Sequence, residues 1–212
     1  MYKFKIEQSK NIKQKIQETL FSNGNDYFDA LIHDIASAKK SIYIETFIFK
    51  NDILGKKLIK EINKKAADGV KIKILVDGAG SPYFLTDSLN LNHKNIQTKI
   101  FHPFPWHFWN WSRSVVKLPS LLKCLYLILM IPRRNHRKVC IIDSKTAYLG
   151  SFNITKNHLG QNSGGDNWRD TGIRISNTNL SELESAFDSC WHHRTIHEYL
   201  KEAFLNIRKD PV

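Results

Sequence analysis

The sequence predicts an α/β fold, a mixed β-sheet flanked by helices. Two observations carry this. Residues 41–77 read as strand, helix and strand, a β-α-β pattern that joins parallel strands by a right-handed crossover. Further on, KVCIID (138–143) and TAYLG (146–150) are separated by only a short turn, as in a hairpin. A sheet containing both kinds of connection is mixed, with helices packed on it.

The elements follow in order. Tyr27, Phe28, Leu31, Ile32 and Ile35 recur at helical spacing over residues 25–39, with Asn25 as the expected cap. SIYIETFIF (41–49) is rich in β-branched and aromatic residues and reads as a strand. A second amphipathic helix, about 52–68, ends at Gly69, the usual residue past a helix C-terminus. KIKILVD (71–77) and TGIRIS (171–176) are further strands, and residues 180–192 and 195–207 are helices. With 212 residues, 42% apolar and 25% charged, and no visible repeat, the chain is expected to form one domain over residues 1–212.

The charge is not ordinary. Thirty-two basic against twenty acidic residues give +12, which suggests a polyanionic partner, nucleic acid or an anionic membrane. Cys124, Cys140 and Cys190 are odd in number and form no CxxC pair, so a disulfide framework is not expected. The charged, interrupted N-terminal stretch lacks the apolar run of a secretion signal, so the expected location is cytoplasmic.

From Ser88 to Ile142 there is no acidic residue, while nine lysines and arginines occur. An insertion at about 102–134 carries Trp106, Phe108, Trp109 and Trp111, then SLLKCLYLILMI between Pro119 and Pro132. Twelve residues make a helix of roughly 18 Å, too short for a bilayer core of about 30 Å. Aromatic rings, a short apolar helix, and Lys117 and Lys123 suit an interfacial anchor on anionic lipid, giving peripheral membrane association. The competing expectation is a buried core helix or a dimer contact.

The chemistry gathers in HRKVCIID, an H-x-K-x4-D pattern at His136, Lys138 and Asp143 that runs on to GSFN at 150–153. On an extended strand His136 and Lys138 point to one face. An imidazole and an ammonium side by side suit a phosphodiester, one attacking phosphorus and the other neutralising its oxygens. Ser151 and Asn153 are placed to add neutral donors to the same phosphate.

HRKVCIIDSKTAYLGSFNIT resembles the HKD motif of the phospholipase D superfamily. NGNDYFDALIHDIASAKKSIYIETFIFKND, GVKIKILVDGAGS and NWRDTGIRI extend the resemblance to the N-terminal half of bacterial cardiolipin synthases, over roughly residues 20–192. It implies a phospholipase D-like fold and a phosphohistidine mechanism with two histidines. One attacks; the other protonates the leaving group and then activates water or an alcohol. Carried over, His136 supplies one histidine, Lys138 and Asn153 hold phosphate, Ser151 assists, and Asp170 orients an imidazole. Asp143 completes the catalytic motif, but the role expected of it is structural, pinning the turn after the strand. Glu45 also resembles a motif position, against which stands a buried structural role. No metal or cofactor is implied.

Relatives with this motif mostly carry it twice, whereas of the nine histidines here only His136 is followed by x-K. The other eight, His158 among them, are expected to be surface or packing residues. A homodimer completing the site is therefore expected, since a twofold axis pairs each residue with its mate. Three functions stay open: a phospholipase D or phosphatidyltransferase acting on anionic phospholipid, a single-HKD nuclease, or a non-catalytic half that binds lipid or pairs with another chain. Apolar residues beside basic ones favour lipid.

Overall fold

The computed structural model describes residues 16–84 and 91–192. Seven strands form one sheet: β1 (Gln17–Phe21), β2 (Ser41–Thr46), β3 (Lys71–Asp77), β4 (Ile96–Phe101), β5 (Val139–Ile142), β6 (Thr146–Gly150) and β7 (Gly172–Ser176), in the order β1-β7-β6-β5-β2-β3-β4. β2, β3 and β4 are parallel, and the remaining pairings are antiparallel. The expected mixed sheet is present. Its helices are α1 (Gly24–Ser37), α2 (Ile53–Ala67), α3 (Ser120–Leu129) and α4 (Ser181–His192). The helix expected over 195–207 lies outside the described residues.

Alternation along the strands sorts side chains into two cores, one on each face. Ile42, Ile44, Ile72, Ile74, Val76, Cys140, Ile142 and Tyr148 join Phe28, Leu31 and Ile35 of α1 and Leu58 and Ile62 of α2. Leu75, Val139, Ile141 and Ala147 face the other way, against Leu127 of α3 and Phe187 and Trp191 of α4. The molecule is thus three layers, helices–sheet–helices. Each fully buried branched side chain contributes about 1.5–3 kcal/mol.

Local chemistry sets the boundaries. Asn23, not Asn25, caps α1 by accepting from the Asp26 N–H at 2.9 Å. Asn25 lies two residues past the cap, within the first turn, and instead accepts from the Gly160 N–H at 3.0 Å. Asp52 caps α2, accepting from the N–H groups of Leu54 and Gly55. β2 stops three residues short of the expected end. There the Ser81 hydroxyl accepts from Phe49 N–H at 2.8 Å and donates to Phe47 O at 2.9 Å, taking the backbone out of the ladder. β1 and β4 were not expected. β4 does alternate, with Ile96, Thr98 and Ile100 buried, whereas β1 is an edge strand with almost no buried position.

Three residues, Asp143, Ser144 and Lys145, connect β5 to β6. Asp143 and Ser144 have φ of 53° and 56°, and Lys145 N–H donates to Ile142 O at 3.0 Å. That is a type I′ turn, matched to strand twist. The Asp143 carboxylate accepts from the N–H groups of Lys39, Lys40 and Ser41 at 2.7–2.9 Å, tying the turn to the start of β2. Burial works to raise its pKa, but those N–H groups and the Lys145 charge hold it below the usual range. A folded pKa below the unfolded one stabilises the protein above about pH 3.9 and loses that stabilisation as pH falls through the lower folded value. Asp143→Asn, which tolerates the left-handed turn, should lose about 1–2 kcal/mol at neutral pH. Denaturation with urea at pH 7 and pH 3 should show the difference shrinking in acid, with the rate per folded molecule unchanged.

Candidate active site

The sheet register gathers the motif. Glu45 lies opposite Val139, Val139 opposite Leu149, and Gly150 opposite Gly172. The segments just beyond these positions, 47–49, 135–138, 151–153 and 168–171, therefore meet at one end of the sheet. Gly150 has φ of 151°, and a Cβ there would sit 2.4 Å from Thr171 O. Only glycine lets β6 turn into Ser151 at that approach.

His136 is exposed, and its ring stacks on Phe47 at 4.1 Å and 23°. Lys138 Nζ lies 5.5 Å from the centroid of the same Phe47 ring and donates to His136 O at 2.6 Å. Burial lowers the Lys138 pKa, with Asp170 opposing it. Imidazole and ammonium thus share one aromatic platform.

The interleaved residues turn the opposite way. Asn135 Nδ2 donates to Glu45 Oε1 at 2.6 Å, and the Arg137 guanidinium lies 3.2 Å from Glu45 Oε2. Arg137 also donates to Ala186 O of α4 and to Cys190 Sγ, at 3.0 and 3.2 Å. Asp77, wholly buried at the end of β3, accepts from the Asn135 N–H at 2.8 Å. Burial raises the Glu45 pKa, opposed by Asn135 and Arg137, and burial with the Glu45 charge pushes the Cys190 thiol up to about 11. Glu45 accordingly takes the buried structural role. Two buried carboxylates hold the segment on which His136 stands.

On the other side, Ser151 donates to Asp170 Oδ1 and accepts from Thr171 N–H at 3.1 Å. Its proton is committed to the carboxylate. Asn153 accepts from Ile48 N–H at 3.1 Å through Oδ1, which leaves its NH2 as a donor. Asp170 Oδ2 lies 3.2 Å from Nδ1 of His158, whose Nε2 accepts from Asn153 N–H at 3.2 Å. The imidazole beside Asp170 within a single chain is therefore that of His158, not of His136. His158 was expected to be mere packing, and only its two neighbours in space reveal it. Asp143 stands apart: seven residues of extended chain put it roughly 20 Å from His136, and its carboxylate is occupied by backbone N–H groups. Geometry gives it a fold role, which corrects its place in the catalytic set. A cleft of ≈ 540 Å³ opens beside Ser151 and Asp170, walled by Trp168 and Arg169.

The insertion is only partly buried. Leu127 alone of α3 is buried, while Leu121, Leu122, Leu125, Ile128 and Leu129 are 50–83% exposed. Trp106, Phe108 and Trp109 are exposed too, as is Lys117. Trp111 is half-buried and packs against the second core, with Lys123, also half-buried, holding its Nζ 5.9 Å over that ring. No helix among the described residues is long and apolar enough to cross a membrane.

Arg137 compensates a buried carboxylate, so its loss should be felt beyond its own contacts. Arg137→Met is expected to destabilise by about 2–3 kcal/mol, less than a fully buried pair because the guanidinium is partly exposed. Adding Glu45→Gln should restore much of that. Urea unfolding of both single mutants and the double mutant closes the cycle, and additive losses would contradict the clamp.

Residues 31–191 match the family described as "Cardiolipin synthase, PLD-like domain". The cardiolipin synthase of Clostridium perfringens strain SM101 is 36% identical over 190 residues, covering 88% of this chain and 36% of that protein. The major cardiolipin synthase of Bacillus subtilis is 34% identical over 181 residues, 84% of this chain and 34% of that protein. The chain spans about a third of the length of these curated relatives. Among solved structures, NucT from Helicobacter pylori superposes with a TM-score of 0.57 at 18% identity, covering 83% of this chain and 96% of that one. Nuc from Salmonella typhimurium, a phospholipase D family member, gives 0.52 at 19%, covering 85% and 94%. At those identities the likeness concerns the fold. With the His-x-Lys segment, the Gly-Ser-x-Asn turn and the mixed sheet all in place, the chain belongs to the phospholipase D-like domain family of the cardiolipin synthases.

Proposed function

We propose that the protein is a phospholipase D-type phosphodiesterase or phosphatidyltransferase acting on anionic phospholipid. The observation that carries this is one continuous segment. An exposed apolar face on α3 is followed, after only residues 130–135, by the exposed His136 ring on Phe47. Lipid contact and phosphorus chemistry are neighbours in the chain.

In this scheme His136 attacks phosphorus and forms an N–P bond while the P–O bond to the leaving alcohol breaks. Lys138 neutralises the nonbridging oxygens, and the Asn153 NH2 donates to them. Ser151 joins them only if its proton swings from Asp170. A second imidazole gives the leaving alcohol its proton, then takes one from the water or alcohol that cleaves the N–P bond. We assign that imidazole to a second copy of the chain across a twofold axis. The cleft beside Asp170 gives room for a head group.

The exposed leucines of α3, with Trp106, Phe108 and Trp109, dip into the interface, while Lys117, Arg133 and neighbouring cations meet anionic head groups at about 1 kcal/mol each. Association of this kind is peripheral.

His136→Ala should abolish release of head group from phosphatidylglycerol vesicles with the circular dichroism spectrum unchanged. Excess His136→Ala chain mixed with wild type should lower the activity per wild-type chain as mixed dimers form. Full activity in a sedimenting monomer would remove the shared site. For the membrane face, Leu121, Leu125 and Trp109 replaced together by Ser should release the protein from phosphatidylglycerol vesicles while sparing a soluble phosphodiester. Wild-type vesicle binding should weaken with salt without vanishing, because apolar burial is not screened. A wild type that cuts DNA and ignores lipid would make the protein a nuclease instead.

A further inference from the structure

His158 is a deeply buried polar ring beside the site, 3% exposed, and no role in phosphorus chemistry requires it. A short 3₁₀ turn, Lys156–His158, presents it. That turn is held by Asp52 Oδ2, which accepts from the Thr155 hydroxyl at 3.1 Å and the Lys156 N–H at 2.7 Å. The ring meets Phe152 and Trp168 edge-on, at 5.4 and 6.3 Å. Behind it, α1 abuts so closely that a Cβ on Gly24 would fall 2.1 Å from His158 O. The ring is fixed in place and orientation.

Burying a polar ring is unfavourable unless both nitrogens find partners. Here Nε2 accepts from Asn153 N–H at 3.2 Å, which puts the proton of the neutral ring on Nδ1; Asp170 Oδ2 lies 3.2 Å from Nδ1, at ion-pair distance but without hydrogen-bond alignment. Asp170 Oδ1 in turn accepts from Ser151. A leucine or phenylalanine would fill the same space. What only an imidazole supplies is an acceptor toward one phosphate-end residue and an N–H set beside the carboxylate that orders another.

We propose that His158 is a positioning residue of the phosphodiester site. It fixes the Asn153 backbone on one side and the Asp170–Ser151 pair on the other, so one buried ring sets the spacing of both Gly-Ser-x-Asn side chains. This deepens the function proposed above and rests on it. Burial keeps the ring toward its neutral form, as an acceptor at Nε2 requires, with Asp170 and the Trp168 backbone opposing and the Lys138 charge adding a little. The ring does not touch substrate. It determines whether Asn153 and Ser151 stand where a phosphate meets them.

Three variants separate this from space filling. His158→Phe keeps the burial and supplies neither partner. His158→Gln keeps an acceptor near the Nε2 position, and His158→Asn a donor near Nδ1. With head-group release from phosphatidylglycerol in the full chain, His158→Phe should lower kcat on the order of 10–100-fold, as loss of a supporting partner does elsewhere. Gln and Asn should each recover part of that. Nitrogen-15 spectra of the wild-type imidazoles should show one ring with Nδ1 protonated at neutral pH, assigned by its absence from His158→Gln. Titration with inorganic phosphate should show weaker binding in the variants. A folded His158→Phe with wild-type kcat, KM and phosphate binding, or a ring protonated on Nε2, would overturn the proposal. If the wild type turns over no lipid, the proposed function fails. The tautomer and phosphate titration then still decide the role of His158, and they do so through the Gln variant should the Phe variant not fold.

Discussion

The site depends on two carboxylates that water does not reach. Glu45 at the end of β2 and Asp77 at the end of β3 both grip Asn135, and Glu45 also meets Arg137. Charges so buried are tolerable only when paired and hydrogen-bonded. Satisfying them forces the backbone of residues 135–137 into one course. Because side chains alternate along an extended segment, holding Asn135 and Arg137 on the α4 side turns His136 and Lys138 to the other side, against Phe47. His136 and Lys138 have few restraints of their own. Their placement is inherited from their neighbours.

The same logic explains the two halves of the molecule. The α1–α2 face is closed by Phe28, Ile35, Leu58 and Ile62, a conventional apolar seam. The α3–α4 face is thinner: α3 commits Leu127 to the core and leaves five large apolar residues outside. A helix whose own interior claims so little of its apolar surface was not shaped by the folding of this layer alone. At ten residues α3 is too short to cross a bilayer core.

Much of this was legible in sequence where the signal is local. KIKILVD and TAYLG gave strands β3 and β6 as they stand, and Gly69 marked the end of α2, where its φ of 92° suits glycine. The His-x-Lys spacing, with its Gly-Ser-x-Asn continuation, pointed to the site. What escaped is non-local. Glu45 meets Arg137 and Asn135 across some ninety residues, and Asp77 meets Asn135 across 58. No spacing rule announces such pairs. His158 looked like any isolated histidine because its neighbours, Asn153 N–H and Asp170, are a backbone group and a residue twelve positions further along the chain. β1 was missed because an edge strand buries little, so QETLF carries no alternation to read. Asp143 carries a motif letter that placed it in the catalytic set, while the structural role expected of it, pinning the turn, is the one its carboxylate fills.

Asp52 divides its work by atom. Oδ1 closes the first turn of α2, while Oδ2 holds the turn that carries His158. One carboxylate therefore belongs to two structures at once. Fraying of the first turn of α2 would swing away the group on which residues 155–158 rest, and loosening of those residues would uncap the helix. Amides at the start of α2 and at Lys156 should accordingly exchange with solvent as a single cooperative unit, though more than a hundred residues separate them in the chain.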